Sequence, residues 1–155
     1  MAVKRPYAKA AGVAAAVLVA DQVSKAAVRG SLAPGASSRV VAGVLWIVHE
    51  QNSGVAFSLL TGSEAGVIVI TLAVVAAVLV FFSRARERSW IWLACGLVIG
   101  GAIGNLIDRV RAGSVTDFVK LPDWPAFNVA DTAITLGVVT LFIAVSIRGS
   151  AARTA

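Results

Sequence analysis

The chain has 155 residues, of which 58% are hydrophobic and only 14% charged. A soluble domain of this size carries about 25% charged residues and could not hide so much apolar surface. Composition therefore excludes an ordinary soluble domain and points to a single integral membrane domain over 1–155. The net charge of +6 comes from basic residues scattered along the chain, which argues against a nucleic-acid partner and for membrane topology. The lone cysteine, Cys95, permits no internal disulfide, and no His, Cys or carboxylate spacing suggests a metal.

A membrane-spanning helix needs about 20 mostly apolar residues. Four stretches meet that need, over about 9–28, 65–83, 89–107 and 128–147. The first follows Lys4, Arg5 and Lys9, as a signal peptide would. Leu18-Val19-Ala20 lacks the small residue that cleavage before Asp21 requires, so span one is expected to stay.

Lys and Arg are enriched on the cytoplasmic side of membrane proteins. Lys4, Arg5 and Lys9 precede span one, Arg84, Arg86 and Arg88 separate spans two and three, and Arg148 and Arg153 follow span four. Those segments hold one acid, Glu87. Both termini are expected in the cytoplasm, with loops 30–64 and 108–127 outside. The first of these loops contains "RVVAGVLWIVHEQNSGVAFSLL", rich in Val, Ile, Trp and Phe, with a turn signal at Asn52-Ser53-Gly54. That pattern predicts a strand, a turn and a second strand lying on the outer membrane surface. The tail from Gly149 is expected to fray.

Span one carries Asp21 and Lys25, acid first and four apart, the favourable order for an intrahelical pair. The preferred reading is a structural ion pair in which Lys25 snorkels outward. Ser24 and Lys25 are adjacent and face different sides of the helix, which argues against a Ser/Lys hydrolase. Span three has Gly96, Gly100 and Gly104 at spacings of four, with Gly101 beside them, a flat face for close helix packing. Asn105, Asp108 and Arg109 cluster at its outer end. Asp108 and Arg109 could pair with each other or with other helices, and Arg109 could meet phosphate head groups.

Two further aspartates stand out. Asp117 lies in the second outer loop among Val115, Phe118 and Val119, a pattern that suggests a strand at the membrane surface. Asp131 sits in "FNVADTAI" at the head of span four, three residues after Asn128. That is the spacing of a capping box, so capping alone explains Asp131 as well as catalysis does. The pair changes this balance. Span three exits on the outer side and span four re-enters there, and "KLPDWPA" with two prolines must turn the chain back. Both carboxylates can then meet near the outer interface. Two close carboxylates share a proton, so one can act as general base on water while the other acts as general acid.

Several blocks in order, "DQVSK", "NSGVAF", "GGAIGNLIDR", "VTDF" and "FNVADTAI", resemble the lipoprotein signal peptidases (signal peptidase II) of bacteria. The resemblance covers essentially the whole chain. It implies an all-α membrane protein, a four-helix transmembrane bundle with a small extracytoplasmic β-cradle and a short outer helix. It also implies an aspartic endopeptidase without a cofactor, which removes signal peptides from diacylglyceryl-modified prolipoproteins just before the lipid-modified cysteine. The catalytic pair matches Asp117 and Asp131. Supporting positions match Asp21, Lys25, Asn52, Gly54, Gly101, Gly104, Asn105, Asp108, Arg109, Asn128 and Ala130. The implied location is the bacterial inner membrane, with the site at the extracytoplasmic face, membrane lipid as neighbour and globomycin-type inhibitors as ligands. A monomer is expected. The rivals are a small proton-coupled transporter using Asp21, and a structural subunit whose acids only cap and pair. Most acids gather at the outer end, which disfavours a transport path across the midplane.

Overall fold

The structure, a computed structural model, describes residues 4–54, 64–85 and 90–151. In chain order it contains α1 (Lys4–Ser31), β1 (Ser37–Val41), β2 (Leu45–Asn52), α2 (Glu64–Ala85), α3 (Ile91–Ala112), β3 (Val115–Lys120) and α4 (Val129–Ala151). All four helices are long and apolar enough to cross a membrane. A 22-residue helix such as α3 is about 33 Å long, enough for the roughly 30 Å hydrocarbon core. The large apolar side chains left exposed, such as Val23, Leu72, Leu136 and Phe142, suit a surface facing lipid rather than water.

Helix α3 is the axis of the bundle. It packs against α1, α2 and α4, and its buried residues run from Ile91 to Asp108. Its glycines explain how. A Cβ at Gly100 would lie 2.7 Å from the Ala14 carbonyl oxygen, and one at Gly101 would lie 2.5 Å from that of Ala130. Each is closer than a methyl group can approach, so α1 and α4 rest directly on the α3 backbone. Helix α2 is more peripheral, held to α3 near its C-terminal end by Phe82 and Ala85, which cluster with Ala10, Ile91 and Cys95.

Helices α1 and α3 run past their apolar stretches at the end of the bundle that bears the sheet. Asp108, Arg109 and Arg111 still belong to α3, which stops at Gly113. Gly113 takes φ 70, and its N–H donates to the Arg109 carbonyl at 2.9 Å, a left-handed helix stop that glycine permits. At the other end of the chain, α4 continues through Gly149 to Ala151.

The sheet is three-stranded and antiparallel, in the order β1-β2-β3. The all-α description is therefore too narrow: the structure is a four-helix bundle bearing a small sheet. The hairpin also differs in detail from expectation. The run expected to form one strand folds on itself at Gly43, where φ is 74, and the Val44 N–H closes the turn on the Val41 carbonyl. Glycine adopts that φ without steric cost. The turn signal at Asn52-Ser53-Gly54 is real, since the Gly54 N–H donates to Asn52 Oδ1 at 2.9 Å and Gly54 has φ 80. The second strand expected beyond it falls in 55–63, outside the described residues. Besides β1, β2 pairs with β3, from the far end of α3. Among the described residues, no helix beyond the four appears.

The packing yields a stability prediction. Gly100→Ala and Gly101→Ala should each cost about 1–3 kcal/mol through overpacking. Gly12→Ala, where an added Cβ meets nothing within 4 Å, should be neutral or stabilising by up to about 1 kcal/mol. Thermal unfolding of the three variants in one detergent measures the contrast, and equal effects would contradict the packing account.

Candidate active site

Asp117 and Asp131 come from different elements, and backbone pairing brings them together. Asp117 is on β3, which follows α3 after only Gly113 and Ser114. The segment containing Pro122 and Pro125 then doubles back. Phe127 pairs with Val119, with its N–H donating to the Val119 carbonyl at 3.0 Å and its carbonyl accepting from the Val119 N–H at 2.8 Å. The next residue, Asn128, thus lies beside Asp117 just as α4 begins.

Asn128 joins the two carboxylates. Its side-chain nitrogen donates to Asp117 Oδ1 at 2.7 Å, and its backbone N–H donates to Asp131 Oδ2 at 3.2 Å. Its side-chain oxygen accepts the Asp131 N–H at 2.9 Å. The exchange between Asn128 and Asp131 is a reciprocal capping box. The cap and the pairing are therefore the same structure. Asn52 Nδ2 donates to Asp117 Oδ2 at 3.0 Å, and Asn105 Nδ2 donates to Asp131 Oδ1 at 2.8 Å. Each carboxylate thus accepts two N–H groups. Gly54 contributes by holding the Asn52 oxygen, which turns the Asn52 nitrogen toward Asp117.

Asp117 is buried, and burial is the main force pushing its pKa up, to about 6. The hydrogen bond from Asn52 opposes the rise, the negative charge of Asp131 adds to it, and Asn128 and Lys25 oppose it. A carboxyl group of this kind holds a proton at pH values where an ordinary aspartate has lost it.

Behind the pair lies a buried ionic cluster. Lys25 Nζ is 2.8 Å from Asp21 Oδ2 and 3.1 Å from Asp108 Oδ2, and it donates to Asn105 Oδ1 at 2.9 Å. Lys25 and Asp21 are both 0% exposed. The intrahelical pair is present, but Lys25 does not snorkel. Reaching outward would strand two buried carboxylates, whereas turning inward gives the ammonium three partners. Asp21 Oδ1 accepts the Ala130 N–H at 3.0 Å, tying α1 to the start of α4. Asp108 Oδ2 accepts the Thr116 N–H at 3.1 Å, tying α3 to β3. Gly104 leaves room for this, since a Cβ there would lie 2.6 Å from Asp21 Oδ2. Gly101 and Ala130 let α4 come close enough.

Asp108 pairs with Lys25 and, at 3.6 Å, with Arg29 rather than with its neighbour Arg109. Arg109 makes one long hydrogen bond, 3.5 Å, to the Asn105 carbonyl, and its Nε is buried without a partner among the described residues. Ser24 donates to the Ala20 and Asp21 carbonyls of its own helix, away from Lys25, so the Ser/Lys alternative finds no geometry.

Three supporting residues escaped the sequence reading. Gln22 Nε2 reaches Asp21, the Gly104 carbonyl and Asp108 at 3.1 to 3.3 Å. Arg29 donates to the Thr116 hydroxyl at 3.0 Å, and the Thr116 carbonyl accepts from Asn128. Gln22 was detectable as a polar residue inside an apolar run. Arg29 and Thr116 carried no such signal, because each earns its role only through a contact across the fold.

Comparison with known proteins agrees with this fold. The family model for signal peptidase (SPase) II matches residues 13–147. The lipoprotein signal peptidase of Syntrophomonas wolfei is 39% identical over 133 residues, covering 86% of this chain and 89% of that protein. That of Pelotomaculum thermopropionicum is 42% identical over 124 residues, covering 79% and 82%. A solved bacterial membrane enzyme superposes with a TM-score of 0.82 at 33% identity, covering 88% of this chain and 91% of the other. A second gives 0.84, also at 33%, covering 91% and 89%. With the match reaching into all four helices and including both candidate aspartates, the chain belongs to the signal peptidase II family of multi-pass membrane aspartic peptidases.

Proposed function

We propose that Asp117 and Asp131 are the catalytic pair of this peptidase. The observation that carries the reading is the bridge through Asn128, which hydrogen-bonds to carboxylates from β3 and α4 at once, with every oxygen of the two hydrogen-bonded. In this reading the pair shares one proton. The ionised member takes a proton from water, which attacks the scissile carbonyl, and the protonated member delivers its proton to the leaving amide nitrogen. No cofactor enters. Asn52, Asn105 and Asn128 hold the carboxylates. Asp21, Lys25 and Asp108 brace them, Gly54, Gly101, Gly104 and Ala130 supply turn and clearance, and Arg109 faces the site with donors to spare for substrate.

The substrate is a diacylglyceryl-modified prolipoprotein, cut before its lipid-bearing cysteine. Its acyl chains stay in the bilayer, so the scissile bond is kept at an interface, the depth at which α3 ends and α4 begins. The basic residues Lys4, Arg5 and Lys9 at the start of α1, and Arg84, Arg86 and Arg88 around the end of α2, support a topology with both termini in the cytoplasm and the sheet outside. The enzyme therefore works as a monomeric single domain at the outer face of a bacterial inner membrane, and globomycin-type inhibitors occupy the same site.

Three outcomes test this. Asp117→Asn and Asp131→Asn, purified as folded protein, should each lose on the order of 10⁴-fold in cleavage of a lipid-modified prolipoprotein. Full turnover by either variant would sink the assignment. The loss of the proton from the pair gives an alkaline limb in kcat/KM, and the titration belongs to both residues. Asn52 stabilises the charged form of Asp117, so Asn52→Ala should move that limb to higher pH, and a shift to lower pH contradicts the scheme. Finally, Asp123→Cys in a Cys95→Ala background should react with a membrane-impermeant thiol reagent added outside intact cells. Labelling only after the cells are lysed would reverse the topology.

A further inference from the structure

We propose that Lys25 is a positioning residue for the catalytic pair, acting through Asn105: its ammonium holds the Asn105 side-chain oxygen and so presents the Asn105 nitrogen to Asp131. The inference rests on the dyad reading above and extends it to a side chain that touches neither aspartate of the pair.

The geometry is a chain of three contacts. Lys25 Nζ donates to Asn105 Oδ1 at 2.9 Å, and Asn105 Nδ2 donates to Asp131 Oδ1 at 2.8 Å. Asn128 Nδ2 also reaches Asn105 Oδ1, at 3.2 Å. An amide side chain has a donor end and an acceptor end of nearly equal size. Turned over, Asn105 would set its NH₂ against an ammonium that has only donors, and its oxygen against a carboxylate that in its ionised form only accepts. Both contacts would be repulsive, and with Lys25 fully buried the ammonium has no water to turn to. Asp21 and Asp108 fix the lysine from behind, at 2.8 and 3.1 Å. The cation thus settles which atom of Asn105 the reacting carboxylate meets. A purely structural ion pair would need Asp21, Lys25 and Asp108, but it would not need the fourth contact to Asn105.

A double-mutant cycle tests this. The full chain is reconstituted in lipid nanodiscs and turns over a diacylglyceryl-modified prolipoprotein peptide. All four members carry Asp21→Asn, so that the members with Lys25→Met have lost one buried charge of each sign relative to the natural sequence and keep Asp108 with Arg29. In that background Lys25→Met and Asn105→Ala should each lower kcat by about 10–100-fold, the range seen when groups that orient a reacting ligand are removed. The two together should be no worse than the more damaging single change, with KM in every case within about twofold of the Asp21→Asn parent. Losses in kcat that multiply, or a loss carried by KM, overturn the proposal. Should Lys25→Met fail to give monodisperse protein, Lys25→Gln replaces it, because Gln keeps an N–H donor for Asn105. Its kcat should then stay within about tenfold of the parent, and a greater loss counts against the proposal. Asp131→Asn serves as control: activity there sinks the dyad reading itself, whereas multiplicative losses with an inactive control sink only the role of Lys25.

Discussion

A lysine sealed from water within a membrane helix is costly, by several kcal/mol, unless its partners are already in place. Lys25 meets that requirement with Asp21, Asp108 and Asn105, and each partner passes the constraint onward. Asp21 holds the Ala130 N–H of α4, Asp108 holds the Thr116 N–H of β3, and Asn105 holds Asp131. Four elements therefore meet at one buried charge. Breaking a link to Lys25 leaves a buried charge short of partners, which is strongly destabilising. Asp108 lies beyond the apolar run of α3, and its partners Lys25 and Thr116 stand at the end of the bundle that bears the sheet.

The candidate site is built on that joint with economy of parts. Asn128 caps α4, bridges both aspartates and reaches the Asn105 oxygen. Asparagine suits this position because its side chain offers both an acceptor for the helix N–H and donors for carboxylates. In the proposed mechanism the carboxylates must keep a fixed depth and separation while a lipid-anchored peptide reaches them. A helix start and a strand pinned by Phe127 and Val119 supply that fixity better than a free loop would.

The bundle beneath follows a different rule. In lipid, apolar burial gives little drive for helix association, so packing depends on close approach. The small residues of α3 meet this need on two sides, toward α1 through Gly100 and toward α4 through Gly101. Bringing α1 and α4 this near to α3 is also what lets Asp21 and Ala130 touch. Packing in the membrane and polar order at its surface are thus one geometric condition.

Much of this was legible beforehand. Apolar run length is enough to fix four spanning helices, because hydrocarbon leaves a chain few other ways to satisfy its backbone. The order of polar blocks pointed to the family, and the spacing of Asn128 and Asp131 announced the cap. Other features depend on atoms distant in sequence. Periodicity could not tell that the strand run would fold at Gly43, or that β2 would pair with β3 from across two helices. The sign of Lys25's orientation was equally hidden: an isolated helix favours snorkelling, and only Asp108 and Asn105 on α3 reverse it. Composition and local spacing determined the spans, the cap and the pair of candidate aspartates. The tertiary structure alone decided the hydrogen bonds that unite them, because those bonds join residues whose proximity arises from packing rather than from sequence distance.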